Sequence, residues 1–354
     1  PAFPASAEGS RRPVSRTMAL RAAAGRSGAR PPLEESNVNR IPLRPLLAGF
    51  ALGLALAGPA VAYPDKPVQY IIPFPAGGES DIAARLQSVT FSQKFKQEMV
   101  VINRAGGGGA LVWQQLNTYP NDGYTIAGIN LPHIVLQPLE GTVSYKTDEM
   151  TPVYFFHYTP DALVVPVDSP YKTFADFLKA AKEKPGTLNI AGSSLNSANH
   201  AAHEKMQKEF GIKTTYVPFK GTGDLIASVL GGHVSAAMSY TTLAIQQKGK
   251  MRMLAVATEK RLPQFPDVPT FKELGGNWVD GAYRGVAVPK STPENVRKQV
   301  SDMMDALNKD PELRKKMVDG GFEGIDVTYE KMPAFLKERT ADYMGTAKLM
   351  GLIK

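Results

Sequence analysis

Hydrophobic and polar positions along the chain alternate between two kinds of pattern. Short apolar runs rich in Val, Ile and Ala, bounded by Gly, Pro, Asn or Asp, read as strands. They are Val68–Ile72, Met99–Asn103, Thr125–Ile129, Ala162–Val167, Leu188–Ala191, Thr214–Val217, Ala236–Ser239, Met253–Ala257 and Gly285–Val288. Between them lie stretches with apolar residues every three or four positions, read as helices: Ser80–Phe95, a short one from Ala110, Phe174–Lys184, Ala198–Phe210, Gly223–Leu230, Pro293–Leu307, Pro311–Gly320 and Tyr329–Lys348. This alternation predicts an α/β fold. Its layout divides into an α/β lobe of residues 63–161, a second lobe of 162–283, and a return of the chain over 284–354 to complete the first. Two lobes joined by crossing strands predict a clamshell with a central cleft.

Composition changes the picture at the N-terminus. Of the net charge of +8, residues 1–62 supply eight Arg against three acids (Glu8, Glu34, Glu35), so the rest carries 33 basic and 30 acidic residues. No basic patch interleaved with aromatics remains, and nucleic acid is excluded as a partner. Arg40 and Arg44 precede the apolar stretch PLLAGFALGLALAGPAVA, which ends in Ala60-Val61-Ala62. This is the pattern of a signal peptide with cleavage after Ala62. The stretch is too short, and too interrupted by Pro59, to read as a membrane anchor. Residues 1–39 are Arg-, Ala- and Pro-rich without periodicity and are expected to carry no fold, as an over-extended or fused reading frame. There is no cysteine, hence no disulfide, thiolate metal site or lipid-attachment cysteine. The expectation is an exported protein, free in the periplasm.

The stretch YIIPFPAGGESDIAARLQ (Tyr70–Gln87) runs from strand through a glycine turn to a helix start. A second, NIAGSSLNSANHAAHEKM, repeats that grammar after Leu188–Ala191. Both place unpaired backbone N–H groups at a helix N-terminus, an anion-binding arrangement. Neither glycine stretch has the Lys of a Walker loop, and neither completes a dinucleotide fingerprint. The five histidines (133, 157, 200, 203, 233) form no metal motif, and no G-x-S-x-G elbow supplies a nucleophile. No cofactor is expected. A carboxylate trap with one loop in each lobe remains.

Six ordered segments extend this reading: YPDKPVQYIIPFPAGGESDIAAR, VVINRAGGGGALV, PNDGYTIAG, YVPFKGTGDLIASVLGGHV, GKMRMLAVATEKRLPQFPDVPT and GVAVPKSTPENV. From Tyr63 to about Tyr343 the chain resembles the Bug-type substrate-binding proteins of tripartite tricarboxylate transporters. The resemblance implies a two-lobe periplasmic binding protein of type II topology. It implies that the loops Pro75-Ala76-Gly77-Gly78-Glu79-Ser80-Asp81 and Ser193–His200 (Ser193, Ser194, Asn196, Ser197, Asn199, His200) grip a ligand carboxylate, with Asp81 bracing the first loop. Delivery is to permease subunits on separate polypeptides, and the protein is expected to act as a monomer.

The chain departs from the family pattern at three places. Position 79, often small or Pro, is Glu79; the second loop has lost two glycines to Ser194-Leu195-Asn196-Ser197; and Arg284 replaces a frequent aromatic. Acids beside an anion site repel it by about 1 kcal/mol each at ~4 Å in water, so Glu79 and Asp81 are expected to point outward. Arg284 is expected to reach the cleft and fork onto a second carboxylate, which favours a dicarboxylate, aliphatic or aromatic. Asn130, His133, Thr222, Ser239 and Tyr240 follow strand ends and are further pocket candidates. The rival readings are a ligand-presenting sensor for a membrane kinase, and a carboxylate-binding enzyme whose acid and base would have to be Glu79, Asp81 or His200.

Overall fold

The computed structural model describes residues 63–354, so the expected signal peptide and its expected cleavage after Ala62 lie outside the described residues. The strands are β1 (Val68–Ile72), β2 (Met99–Asn103), β3 (Thr125–Leu131), β4 (Pro152–Pro166), β5 (Asn189–Gly192), β6 (Thr215–Pro218), β7 (Ala236–Tyr240), β8 (Met251–Val256), β9 (Gly281–Ala287) and β10 (Glu323–Val327). The helices are α1 (Glu79–Phe95), α2 (Ala110–Gln115), α3 (His133–Glu140), α4 (Phe174–Glu183), α5 (Ala198–Phe210), α6 (Thr222–Leu230), α7 (Thr241–Gln246), α8 (Glu294–Asn308), α9 (Pro311–Asp319) and α10 (Met332–Leu349).

One long strand organises these elements. The first part of β4, Pro152–Pro160, pairs antiparallel with β9, and β10 pairs along its other edge. The later part, from Asp161, pairs with β7 on one side and β8 on the other. The first sheet therefore runs β2-β1-β3-β9-β4-β10 and the second β8-β4-β7-β5-β6, with β4 common to both. In each sheet the pairs made by β1 and by β5 are parallel and the pairs made by β4 are antiparallel. The lobe boundaries expected at 161/162 and 283/284 both fall inside continuous strands, β4 and β9.

Burial explains why these segments are strands. β3 is buried at all seven positions and β4 at thirteen of fifteen, as strands covered on both faces must be. In the second sheet the two-residue period of β4 separates two apolar layers. Leu163 and Val165 pack with Phe174 and Phe177 of α4, while Ala162 and Val164 pack with Leu225 and Val229 of α6. The helices obey their own period. In α8, Val300, Met303, Met304 and Leu307 form one buried stripe. In α9, Pro311 follows the N-cap Asp310, whose side chain accepts from the backbone N–H groups of Glu312 and Leu313 at 3.0 and 3.1 Å.

Four elements escaped the sequence pattern. The first ten residues of β4, PVYFFHYTPD, hold two prolines and no polar alternation because both faces are covered. Helix α3 contains Pro138, α7 has only six residues, and β10 is an edge strand without an apolar run.

Gly285 lies where β9 presses against β4, and a Cβ there would overlap the Tyr154 carbonyl and come within 2.9 Å of the Phe155 ring. Gly285→Val should therefore lower the unfolding free energy by about 3 kcal/mol in urea titration. A change within experimental error would show that the β4–β9 contact is not close-packed.

Candidate ligand-binding site

The C-terminal ends of β1 and β3 in the first sheet, and of β5, β6 and β7 in the second, face one another across a small cavity. It is lined by Phe74, Gly78, Glu79, Ser80, Asn130, His133, Ser193, Thr222, Tyr240 and Arg284. Its volume is about 20 Å³, room for about one water. Three helices begin at its wall: α1 at Glu79, α3 at His133 and α6 at Thr222. Neither α1 nor α6 has a side-chain cap on its first N–H groups, so each brings uncapped donors and a positive helix end to the cavity wall, beside the first-turn acids Glu79 and Asp81 of α1 and Asp224 of α6.

Glycines allow the two sides to meet. A Cβ on Gly223 would lie 2.6 Å from the Ala76 carbonyl oxygen, and one on Gly221 would lie 2.7 Å from Pro75 Cδ. His133 Nε2 and Ser194 Oγ are 3.2 Å apart, and Asn196 Nδ2 donates to Glu140 Oε2 at 2.8 Å. Trp113 sets the first side by donating its indole N–H to Gly128 O at 2.9 Å and packing edge-on against Phe74 and His133.

The charges are arranged differently from the expectation. Glu79 does not point outward: it is 3% exposed, and its Oε2 lies 2.5 Å from Arg284 Nη2. Arg284 does reach the cleft, but its guanidinium is already engaged. Nη1 donates to Thr159 Oγ1 at 2.8 Å, and the guanidinium carbon lies 4.7 Å above the Tyr240 ring. The physical reason is register. Arg284 pairs across the sheet with Asn130 on β3 and His157 on β4, so its side chain enters beside the first turn of α1. There a buried guanidinium without a counter-charge would be unstable.

Burial pushes the Glu79 carboxyl up to about 7, with Arg284 and the Thr159 hydroxyl offsetting part of the effect. Burial, reinforced by the Arg284 charge, drives His133 down to about 3 and His157 well below the usual histidine range. Both histidines are therefore neutral beside the guanidinium. Among the residues lining the cavity, Glu79 and Arg284 are the charged ones.

The other predicted residues divide between the cavity and its supports. Asp81 turns away from the cavity, accepting Gly77 N–H at 2.9 Å and pairing with Arg85 at 2.9 Å, and so braces the first loop. Ala76 and Gly77 are exposed and Pro75 is half-buried, outside the cavity wall. The second loop reaches the cavity through Ser193 alone. Ser194 and Asn196 line a separate cavity of about 350 Å³ with Gly108, Gln137 and Lys220. Ser197 caps its own helix by accepting His200 N–H at 3.1 Å, which removes a donor that a ligand was expected to use. Asn199 bridges Ser193 N–H and the buried Asp161 carboxylate, at 3.2 and 2.9 Å, tying the loop to β4. His200 stacks on Tyr216, 4.5 Å between ring centroids, behind the loop. Ser239 is buried beside Tyr240 without lining the wall. The reading missed Phe74 and Thr159. Phe74, set between two prolines at the end of β1, was legible as a wall residue, whereas Thr159 lay in the unrecognised half of β4.

Residues 83–350 match the family model described as tripartite tricarboxylate transporter family receptor. The chain belongs to this family. BugT of Bordetella pertussis is 31% identical to it over 262 residues, 71% of this chain and 80% of that protein. The solved structure of the periplasmic binding protein BugD superposes with a TM-score of 0.77 at 26% identity, covering 82% of this chain and 99% of that one. Rpa4515 of R. palustris, solved with adipate, gives 0.77 at 26% identity, over 82% of this chain and 98% of that one. The receptor thus has the two-lobe periplasmic-binding-protein fold and is a solute-binding protein of the Bug type.

The buried Glu79 gives a signed pH dependence. Its folded-state value is raised above the ordinary 4.5, so its contribution to stability is full below about 4.5 and lost as pH rises through about 7. The unfolding free energy of the wild type relative to Glu79→Gln should fall steadily between those values. A difference that stayed flat would place the carboxylate in water.

Proposed function

We propose that this receptor captures a small organic carboxylate in the periplasm and delivers it to the permease subunits of a tripartite tricarboxylate transporter, without chemical conversion. The observation that carries the reading is the convergence of the uncapped N-termini of α1 and α6, from opposite sides of the cleft, on one buried cavity that also holds Arg284. A carboxylate there gains charge-assisted hydrogen bonds from both sides at once, each contributing about 1.5–3 kcal/mol. Contacts made by both lobes stabilise the closed form over the open one. The cavity of about 20 Å³ is smaller than any organic acid, so entry requires the lobes to part.

The adipate named with Rpa4515 supports an organic acid as the ligand, and the Phe74 and Tyr240 rings suit an aromatic one. Arg284 no longer supports a dicarboxylate by itself, because Glu79 neutralises it. An enzyme would need a free acid and base. His133 is held neutral, and the Glu79 carboxylate is committed to Arg284, which favours capture over turnover. The sensor alternative would use the same pocket and differ only in the membrane partner. The charge balance outside the leader gives no reason for nucleic-acid binding, and we expect a monomer.

A thermal-shift screen of the purified protein against mono-, di- and tricarboxylates, aromatic acids and amino acids should raise the melting temperature with one carboxylate class. A shift by carboxylate-free compounds alone would reject the reading. Gly223→Val, whose side chain would meet the Ala76 carbonyl, should hold the lobes apart. We expect about tenfold weaker binding, about 1.4 kcal/mol, and a larger radius of gyration by small-angle scattering with ligand bound. Unchanged affinity would show that closure does not require the Gly78–Gly223 approach.

A further inference from the structure

We propose that the Glu79–Arg284 pair sets the ligand class. The site takes a carboxylate of at most one net negative charge that also carries an amine, amide or hydroxyl group, whose N–H or O–H donates to Glu79. This rests on the carboxylate reading above and narrows it.

Three observations lead there. First, Glu79 lines the cavity, and its two carboxylate oxygens are buried with no hydrogen-bond partner in place beyond the Arg284 charge against Oε2 and the nearby Thr159 hydroxyl, too few donors for a carboxylate out of water. A buried carboxylate oxygen without a donor is unfavourable, and a ligand N–H or O–H is the group that would satisfy it. Second, Arg284 has little left to offer. Nη1 is given to Thr159, Nη2 lies against Glu79, the Tyr240 ring covers one face, and Nε is the buried donor without a partner. A single N–H cannot fork around a second carboxylate as a free guanidinium would. Third, the charges of the pair cancel while His133 beside it stays neutral, so only the partial positive ends of the helices that begin at the wall, α1, α3 and α6, oppose the ligand's charge. One carboxylate suits those ends, whereas a second would enter a cleft whose only full positive charge is already balanced.

Isothermal titration calorimetry near pH 8, where Glu79 is mostly ionised, tests this with matched acids. One set is butanoate, 2-aminobutanoate, 2-hydroxybutanoate and succinate; the other is benzoate, 4-aminobenzoate, 4-hydroxybenzoate and terephthalate. In at least one set the donor-bearing acid should bind about tenfold or more tighter than both its donor-free and its dicarboxylate counterparts. Glu79→Gln releases the Arg284 charge, so the dicarboxylate should gain about tenfold and the donor advantage should shrink below about threefold. If Glu79→Gln does not fold, the double variant Glu79→Gln/Arg284→Met, which removes both buried charges, should show the same loss of donor preference. Equal wild-type affinity for donor-free acids or dicarboxylates overturns the proposal and leaves carboxylate capture standing, as does a preference that Glu79→Gln does not alter. Failure of every acid to bind either protein overturns the carboxylate reading and this inference with it.

Discussion

A buried ion pair governs the arrangement of this receptor's cleft. Glu79 from the first turn of α1 and Arg284 from β9 meet at 2.5 Å with both side chains almost wholly out of water. Desolvating two charges costs several kcal/mol each, and the cost is offset only when partners are placed closely around them. Thr159 from β4 supplies an acceptor and Tyr240 from β7 an aromatic face. The pair therefore requires α1, β4, β7 and β9 to hold one relative position, and α1, β7 and β9 place Glu79, Ser80, Tyr240 and Arg284 in the cavity wall. Burial keeps His133 and His157 neutral, and the same guanidinium reinforces it by repelling a second cation beside it.

Around that pair, small backbones decide how near the two sides come. Gly78, Gly221 and Gly223 let the loop before α1 touch the start of α6, with helix N-termini facing inward from both. The second loop plays a different part. Its Ser197 hydroxyl serves its own helix, and its Asn199 fastens the loop to Asp161 on the strand shared by both sheets. Burial, reinforced by the charge of Asp280, holds the Asp161 carboxyl well above the ordinary carboxylate range. It is thus suited to accept from Asn199 as a structural anchor rather than to present charge to a ligand.

How far the sequence could be read depended on where each signal lay. Strands such as β1 and β2 were legible to the residue, because each shows as a short apolar run bounded by polar or turn residues. The half of β4 from Pro152 to Asp161 was not, since two prolines broke the strand signature and the antiparallel neighbours that hold it, β9 and β10, come more than 100 residues later. Asp81 as the brace of the first loop was legible because its partner Gly77 is four residues away. Glu79 was misread because its partner Arg284 lies at the far end of the chain and only the register of β9 brings the two together.

The sequence by itself determined the α/β alternation, the two glycine-bearing loops at helix starts, the absence of nucleotide and metal motifs, and the family. Each is written in local spacing or in ordered motifs, and neither needs knowledge of which residues meet. The tertiary structure alone decided where the charges go. It turned an expected ligand-gripping arginine into half of an internal ion pair, assigned the second inward helix end to α6 rather than α5, and placed the Glu79 carboxylate in the cavity wall. The physical reason is that electrostatic free energy depends on distance and burial. For Glu79 and Arg284 both are set by strand register and helix placement, which no short stretch of sequence contains.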